Sequence, residues 1–259
     1  GEKEAVRSIC KWANMAGRRD RVEVLGFVDG HTSIDWINDC GCKNINLLCK
    51  GSERHCVYQL KKTLDEHLAD IRQSIDYAHQ LGIAVNIYLE DWSNGMKDSP
   101  QYVHDFVDAL KDCGVLRFLL PDTLGVLNPM QTQQYVHQMV QWFPDLHFDF
   151  HAHNDYDLAT SNVMYAVLEG CRGIHTCING LGERAGNAPL SSVQAILKDQ
   201  LKVQTNINEV KLGEASRLIE SYSSIAIPSN KPIIGENVFT QVAGVHADGD
   251  NKNNLYCND

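Results

Sequence analysis

Six short apolar runs, separated by amphipathic segments, constrain this chain more than any other feature. They are RVEVLGFV (21–28), NINLLCKG (44–51), IAVNIYLED (83–91), LRFLLPDT (116–123), LHFDFHAH (146–153) and GIHTCING (173–180). Nearly continuous apolar runs are what strands covered on both faces require. Between them, SPQYVHDFVDALKDCG spaces Val103, Phe106, Val107 and Leu110 as one helical stripe. Ser99 is its predicted N-cap, Pro100 its first helical residue and Gly114 its stop. NPMQTQQYVHQMVQWF repeats the pattern with Asn128 and Pro129. Residues 57–81 carry Leu64, Leu68, Ile71 and Ile75 on one stripe that Gly82 ends, and 157–169 read as helical up to Gly170. Strand starts fall roughly 20 to 40 residues apart, the size of one strand–helix unit.

Two architectures fit this alternation: an open doubly wound sheet, or a barrel of eight strand–helix units. No GxGxxG follows the first run. Polar groups collect instead at the C-terminal ends of the runs: Glu90 and Asp91, Asp122 and Thr123, His151 and His153, Asn179. A barrel places its active site on that rim. The predicted fold is therefore α/β, a TIM (β/α)8 barrel that is N-terminally incomplete, with six strands visible and two expected before residue 1. The opening GEKEAVRSIC has no initiator Met and no signal-peptide shape, and reads as the inside of a helix, so a fragment is expected. After GERAGNAPL the pattern changes: 188–200 and 208–224 read as helices, and the rest is loop-rich. The expected division is a catalytic barrel over 1–200 and a small helical and loop appendage over 201–259.

Composition excludes some functions. The net charge of −10, with no basic tract, argues against nucleic acid and anionic membrane as partners. No apolar run approaches the ~18 residues of a membrane span. Nine cysteines, odd in number and scattered without a CxxC pair, read as reduced thiols serving as small apolar residues. The expected compartment is the cytoplasm.

The chemistry starts at HFDFHAHND, residues 147–155. Strand side chains alternate faces, so His151 and His153 point the same way, about 6–7 Å apart at the backbone. Two imidazoles so placed can converge on one ion. In LGERAGNAPL, Gly182 and Gly186 permit tight turns near a ligand, and the Asn187 amide oxygen is a candidate third ligand. Such a set suits zinc, manganese or magnesium and normally needs a carboxylate to complete it. No visible strand offers one. Glu90 shares a face with Tyr88, and a carboxylate at a buried strand end takes a partner, a cation or a proton-transfer role. Asp122 and Thr123 either cap the next helix or, in the case of Thr123, bind a substrate carboxylate. Leu25 and Leu48 are either barrel core or the wall of a small apolar pocket. His31, His55, His67, His79, His104 and His137 read as solvated, His147 lies far from the rim and His175 is ambiguous.

FHAHND, GLGERAGN, LPDTLG and GENVFTQVAGVHADG together resemble the metal-dependent acyl-CoA condensing barrels, the isopropylmalate, homocitrate and citramalate synthases. Hydroxymethylglutaryl-CoA lyase is a more distant relative of that group. VLGFVDG, NLLCKGS, YLEDWSNG and HADGDNKNNLY look most like the citramalate synthases, which join acetyl-CoA to pyruvate on the route to isoleucine. The resemblance implies a divalent metal on His151, His153 and Asn187, with Thr123 on the keto acid carboxylate. Leu25, Leu48 and Tyr88 would surround the substrate methyl group, and Glu90 would assist proton transfer. It further implies a homodimer whose swapped appendage brings His246 and Tyr256 into catalysis and Asp248, Asn254 and Leu255 to the substrate. The family's first-strand Arg-Asp-Gly-Glu-Gln-like motif is absent. Arg19–Asp20 precedes a strand and lacks the glycine and glutamate, so it receives no role. Rival readings are an isopropylmalate or homocitrate synthase, a lyase that cleaves a carbon–carbon bond, and an inactive fragment or assembly piece.

Overall fold

The computed structural model describes residues 1–238 and residue 240. They form two compact units, one of residues 1–175 and 182–188, the other built from 176–181 and the chain from Pro189 onward. In chain order the first contains α1 (Glu2–Met15), β1 (Glu23–Phe27), α2 (Thr32–Asp39), β2 (Asn44–Lys50), α3 (Glu53–His55), α4 (Leu64–Gln80), β3 (Ala84–Glu90), α5 (Trp92–Asp98), α6 (Pro100–Leu110), β4 (Phe118–Asp122), α7 (Pro129–Trp142), β5 (Phe148–Ala152), α8 (Ala159–Leu168) and β6 (Gly173–His175). The second contains α9 (Leu190–Ala195) and α10 (Leu212–Ser223).

All six strands are parallel and pair in sequence order, β1-β2-β3-β4-β5-β6. This is the incomplete barrel that the alternation predicts. Each strand is apolar on the face that meets helices: Ile45 and Leu47 on β2, Val85 and Ile87 on β3, Phe118 on β4 and Phe150 on β5 are all at most 1% exposed. Across from them lie Ile71 and Ile75 of α4, Phe106 of α6 and Val163 of α8, equally buried. Trp92 stands edge-on to Phe150, with ring centroids 6.3 Å apart. Each such large side chain contributes about 1.5–3 kcal/mol when removed from water, so this outer layer carries the fold.

One helix start follows the sequence closely. Asn128 accepts from the Gln131 N–H while the Gln131 side chain returns to the Asn128 backbone, and Pro129 is the first helical residue. Thr63 and Glu66 form the same reciprocal box for α4. The stripe predicted over 57–81 is shorter in the fold. Residues 56–60 form a wider turn that ends at Lys61 with φ +56°, and α4 begins at Leu64. Ser99 also differs. It lies directly between α5 and α6, and its hydroxyl donates back to the Gly95 carbonyl of α5, so α6 has no side-chain cap.

The sixth run is a strand for only three residues. Gly173 is the reason the sheet closes tightly there, since a Cβ on it would lie 2.0 Å from the Asp149 carboxylate. Asn179, placed at the strand end by the sequence, belongs to the second unit, where its amide donates to the Ser216 carbonyl. Six of the cysteines (Cys10, Cys40, Cys42, Cys49, Cys56 and Cys171) are buried thiols. No helix among the described residues is long and apolar enough to cross a membrane.

The inner face of the sheet is polar at its N-terminal half. Arg117, just before β4, contacts the Glu23 carboxylate of β1 and donates to Asp149 of β5 at 2.9 Å. His147 lies 2.9 Å from Asp149, and Asn86 donates to Asn46 at 2.8 Å. Arg19 donates to the Gly41 carbonyl at 2.7 Å, in a turn that precedes β1 and lies at the end of the strand opposite the site below.

Candidate active site and metal centre

Sheet register decides which predicted groups meet. Lys50, Glu90, Pro121, His151 and His175 follow one another across β2 to β6 as successive partners or neighbours on the inward face. His153 continues that face one step past β5. The His151 and His153 ring centroids are 5.0 Å apart, as a His-x-His strand requires.

Asn187 reaches them through a backbone device the sequence does not spell out. The segment after Gly186 runs antiparallel to the end of β5, with Asn154 N–H donating to Gly186 at 2.9 Å and Ala188 N–H to Ala152 at 3.1 Å. His153 and Asn187 are opposed between these two bonds. Opposed residues flanked in this way bring their side chains together on one face, with Cα atoms only about 4.5 Å apart. Gly186 turns the loop at φ +87° and Arg184 holds φ +54°. The Arg184 guanidinium forks onto both Asp155 oxygens, at 2.7 and 2.9 Å, and also donates to the Thr123 carbonyl at 2.8 Å. One arginine thus ties the loops after β4 and β5 to the GERAGN loop. It also holds the Asp155 carboxyl below the usual carboxylate range.

The two imidazoles are neutral in this setting. Burial, then the nearby His175 and His153, push His151 down to about 3. Burial, then the charge of Arg184, lowers His153 as well. Neutral imidazole is the form that ligates a metal. The His153 Nδ1 atom is buried and accepts or donates no hydrogen bond among the described residues, which leaves a donor atom available to an ion. The residues present therefore fit a divalent cation as two imidazoles and one amide. A charged ligand is not among them: no group of three or more His, Cys, Asp or Glu able to hold a metal occurs among the described residues.

Around this trio, Tyr88 stands edge-on to His151 at 6.0 Å, and burial followed by the Glu90 charge raises its hydroxyl pKa. Leu48 is the register partner of Tyr88, while Leu25 pairs with Asn46, one inward position lower. Leu25 lies on the edge strand of the described sheet and is 45% exposed. Glu90 is in contact with the ammonium of Lys50, a residue that sequence reading missed. Thr123 accepts the Asp91 N–H at 2.9 Å, so the hydroxyl's own proton remains to be donated. Asp122 does not cap the next helix, whose cap is Asn128; fully buried, it accepts from the Val126 and Leu127 N–H groups of the intervening turn at 3.0 Å each, and burial raises its pKa.

One histidine differs from the sequence reading, and one that the sequence left open is placed by the fold. His67 is buried, 2% exposed, because its Nε2 accepts the Lys50 backbone N–H at 3.1 Å; burial lowers it to about 4. His175 belongs to the site, with its ring 5.5 Å from His151 and its Nε2 3.5 Å from Asp149. Only the parallel register of β5 and β6 could have revealed that. His246, Asp248, Asn254, Leu255 and Tyr256 lie outside the described residues.

Gly182 tests the arrangement. A Cβ there would lie 2.2 Å from the Asn187 amide nitrogen. Gly182→Ala is expected to displace that side chain and weaken metal retention about 10–100-fold, read by metal titration of purified protein. Unchanged affinity would remove Asn187 from the ligand set.

Residues 1–219 match the family described as HMGL-like. The chain is 36% identical to the 2-isopropylmalate synthase of Sulfurisphaera tokodaii over 231 residues, 89% of this chain and 59% of that protein. It is 34% identical to the (R)-citramalate synthase CimA of Methanocaldococcus jannaschii over 254 residues, 98% of this chain and 50% of that protein. The chain thus spans roughly half to three fifths of the length of these curated relatives. Among solved structures, hydroxymethylglutaryl-CoA lyase from Pseudomonas aeruginosa superposes with a TM-score of 0.68 at 20% identity, covering 78% of this chain and 70% of that one, a likeness of fold alone. With its parallel sheet, its paired-histidine rim and a family match over residues 1–219, the chain belongs to the HMGL-like family.

Proposed function

We propose that this chain supplies most of the catalytic barrel of an enzyme that condenses acetyl-CoA with a small 2-keto acid, pyruvate by preference, releasing CoA and citramalate. The observation that carries the reading is the meeting of His151, His153 and Asn187 on one face, at the same strand ends as Glu90 and Thr123.

A divalent cation held by those three residues would supply Lewis-acid polarisation of the keto group. The Thr123 hydroxyl donates to the keto acid carboxylate, its oxygen already fixed by the Asp91 N–H. Leu48, Tyr88 and Leu25 surround the methyl group. A base removes a proton from the acetyl methyl, and the enolate carbon bonds to the keto carbon. The new alkoxide is then protonated, and water cleaves the thioester. Glu90 and His246 of the partner subunit handle the protons in this reading, within a homodimer. Imidazole suits a proton carrier near neutrality.

Charge around the pocket supports a short, uncharged keto acid tail. Lys50, beside Glu90 on the inward face, already holds that carboxylate. It offers no unneutralised cation to a second substrate carboxylate, as homocitrate formation would ask.

Incubating the full-length protein with acetyl-CoA, a divalent metal and a panel of keto acids, with a thiol reagent to detect CoA, tests this. Pyruvate should give the highest kcat/KM; CoA release with 2-ketoisovalerate but not pyruvate overturns the substrate assignment. Thr123→Val should raise KM for the keto acid about 10–100-fold, the loss of one hydrogen bond to a charged group of about 1.5–3 kcal/mol. An unchanged KM would return Thr123 to a purely structural role.

A further inference from the structure

Lys50 is unusual for an inward-facing barrel position, where branched apolar side chains are the rule. It ends β2, Glu90 ends β3, and the two are register partners. The ammonium contacts the Glu90 carboxylate, with only 10% of the lysine side chain and 24% of the glutamate side chain exposed. Glu90 is the one side-chain acceptor of this ammonium among the described residues. The lysine backbone is held on both sides. Its N–H donates to His67 at 3.1 Å, and its carbonyl accepts the Tyr102 hydroxyl at 3.0 Å. His67 and Tyr102 are both buried, 2% and 8% exposed, on α4 and α6. With its backbone so pinned, the stem of Lys50 runs inward.

Stability does not account for this lysine. A partly buried ion pair gives back in desolvation much of what it gains in attraction, and apolar replacement of such pairs is often neutral or stabilising. A group whose presence is not explained by stability, at the rim and touching an inward carboxylate on the same strand ends as the two histidines, points to the reaction. A carboxylate with no partner rotates freely about its last torsion. It also sets negative charge beside a keto acid carboxylate and a developing enolate, where preorganised positive charge is worth most.

We infer that Lys50 is the positioning residue for Glu90. It holds the carboxylate in one orientation toward the acetyl methyl and cancels its charge at the mouth. This rests on the condensing-enzyme reading above. The test uses the full-length protein and the variants Lys50→Met, Lys50→Arg, Glu90→Gln and Lys50→Met/Glu90→Gln. Lys50→Met should lower kcat for CoA release about 100-fold, the effect of a misplaced reacting group. KM for the keto acid should stay within about threefold, and Lys50→Arg, which keeps the charge, should recover most of the rate. The double variant should be no slower than Glu90→Gln, because Lys50 acts only through Glu90. A Lys50→Met protein with wild-type kcat, one that unfolds, or losses that multiply in the double variant overturn the inference. A wild-type protein that releases no CoA with any keto acid overturns the parent reading, and this inference with it.

Discussion

Replacing His153 with alanine should cut CoA release by the full-length protein at least about 1,000-fold and abolish stoichiometric metal retention. Lewis-acid stabilisation is worth several kcal/mol, and each decade in rate is about 1.4 kcal/mol. His153 has the strongest case of the three proposed ligands. Its side chain is fixed by backbone pairing on one side, opposite Asn187, and by its place beyond β5 on the other. Its Nδ1 is buried without a hydrogen-bond partner among the described residues. A buried polar atom left unsatisfied costs about 1–3 kcal/mol, which an ion would remove. Removing the ring should therefore leave the fold intact or slightly more stable while function is lost. Metal content by elemental analysis, a thermal melt and the CoA assay separate the two effects. A His153→Ala protein that keeps both metal and turnover would sink the site.

Arg117→Met should destabilise the barrel by about 2–4 kcal/mol, toward the lower end for the loss of one partner of a buried pair because Arg117 keeps some contact with water. Arg117 links strands far apart in sequence, contacting Glu23 on β1 and donating to Asp149 on β5 at 2.9 Å. The Asp149 side chain is 2% exposed. Without the guanidinium its charge keeps the imidazoles of His147 and His175 as neighbours. Burial alone would raise the Asp149 pKa, but the His175 hydrogen bond and the charges of Arg117, His175 and His147 together hold it below the usual carboxylate range. The sign for stability follows. A lowered folded pKa contributes stability that is complete above the unfolded value, about 3.9, and is lost as pH falls through the folded value. Arg117→Met removes part of that lowering, so acid unfolding should begin at higher pH than in the wild type. Urea unfolding at pH 7 and an acid titration followed by circular dichroism measure both shifts. Equal urea midpoints for the two proteins would show the network to be dispensable.

Much of the barrel was legible because its signals are local. Asn128-Pro129 specifies a helix start within four residues, and the six apolar runs stand where the six strands form. The errors fell where a distant partner overrode the local pattern. Ser99 is a good capping residue by type, yet its hydroxyl donates to Gly95 in the preceding helix and accepts the N–H of Glu53, 46 residues away, at 3.4 Å. His67 looked like a solvated helix histidine until the β2 backbone supplied a donor for it.

Strand periodicity tells which side chains can share a face: His151 with His153, Tyr88 with Glu90, Leu48 with Lys50. Alternation along a strand is a property of the backbone, so two-residue spacing suffices. Which faces meet depends on how the strands and loops pack. The register of neighbouring strands set Lys50 against Glu90 and His175 against His151, and the antiparallel return of the GERAGN loop set Asn187 against His153. Those pairings depend on hydrogen bonds between segments up to 40 residues apart, which no local pattern encodes.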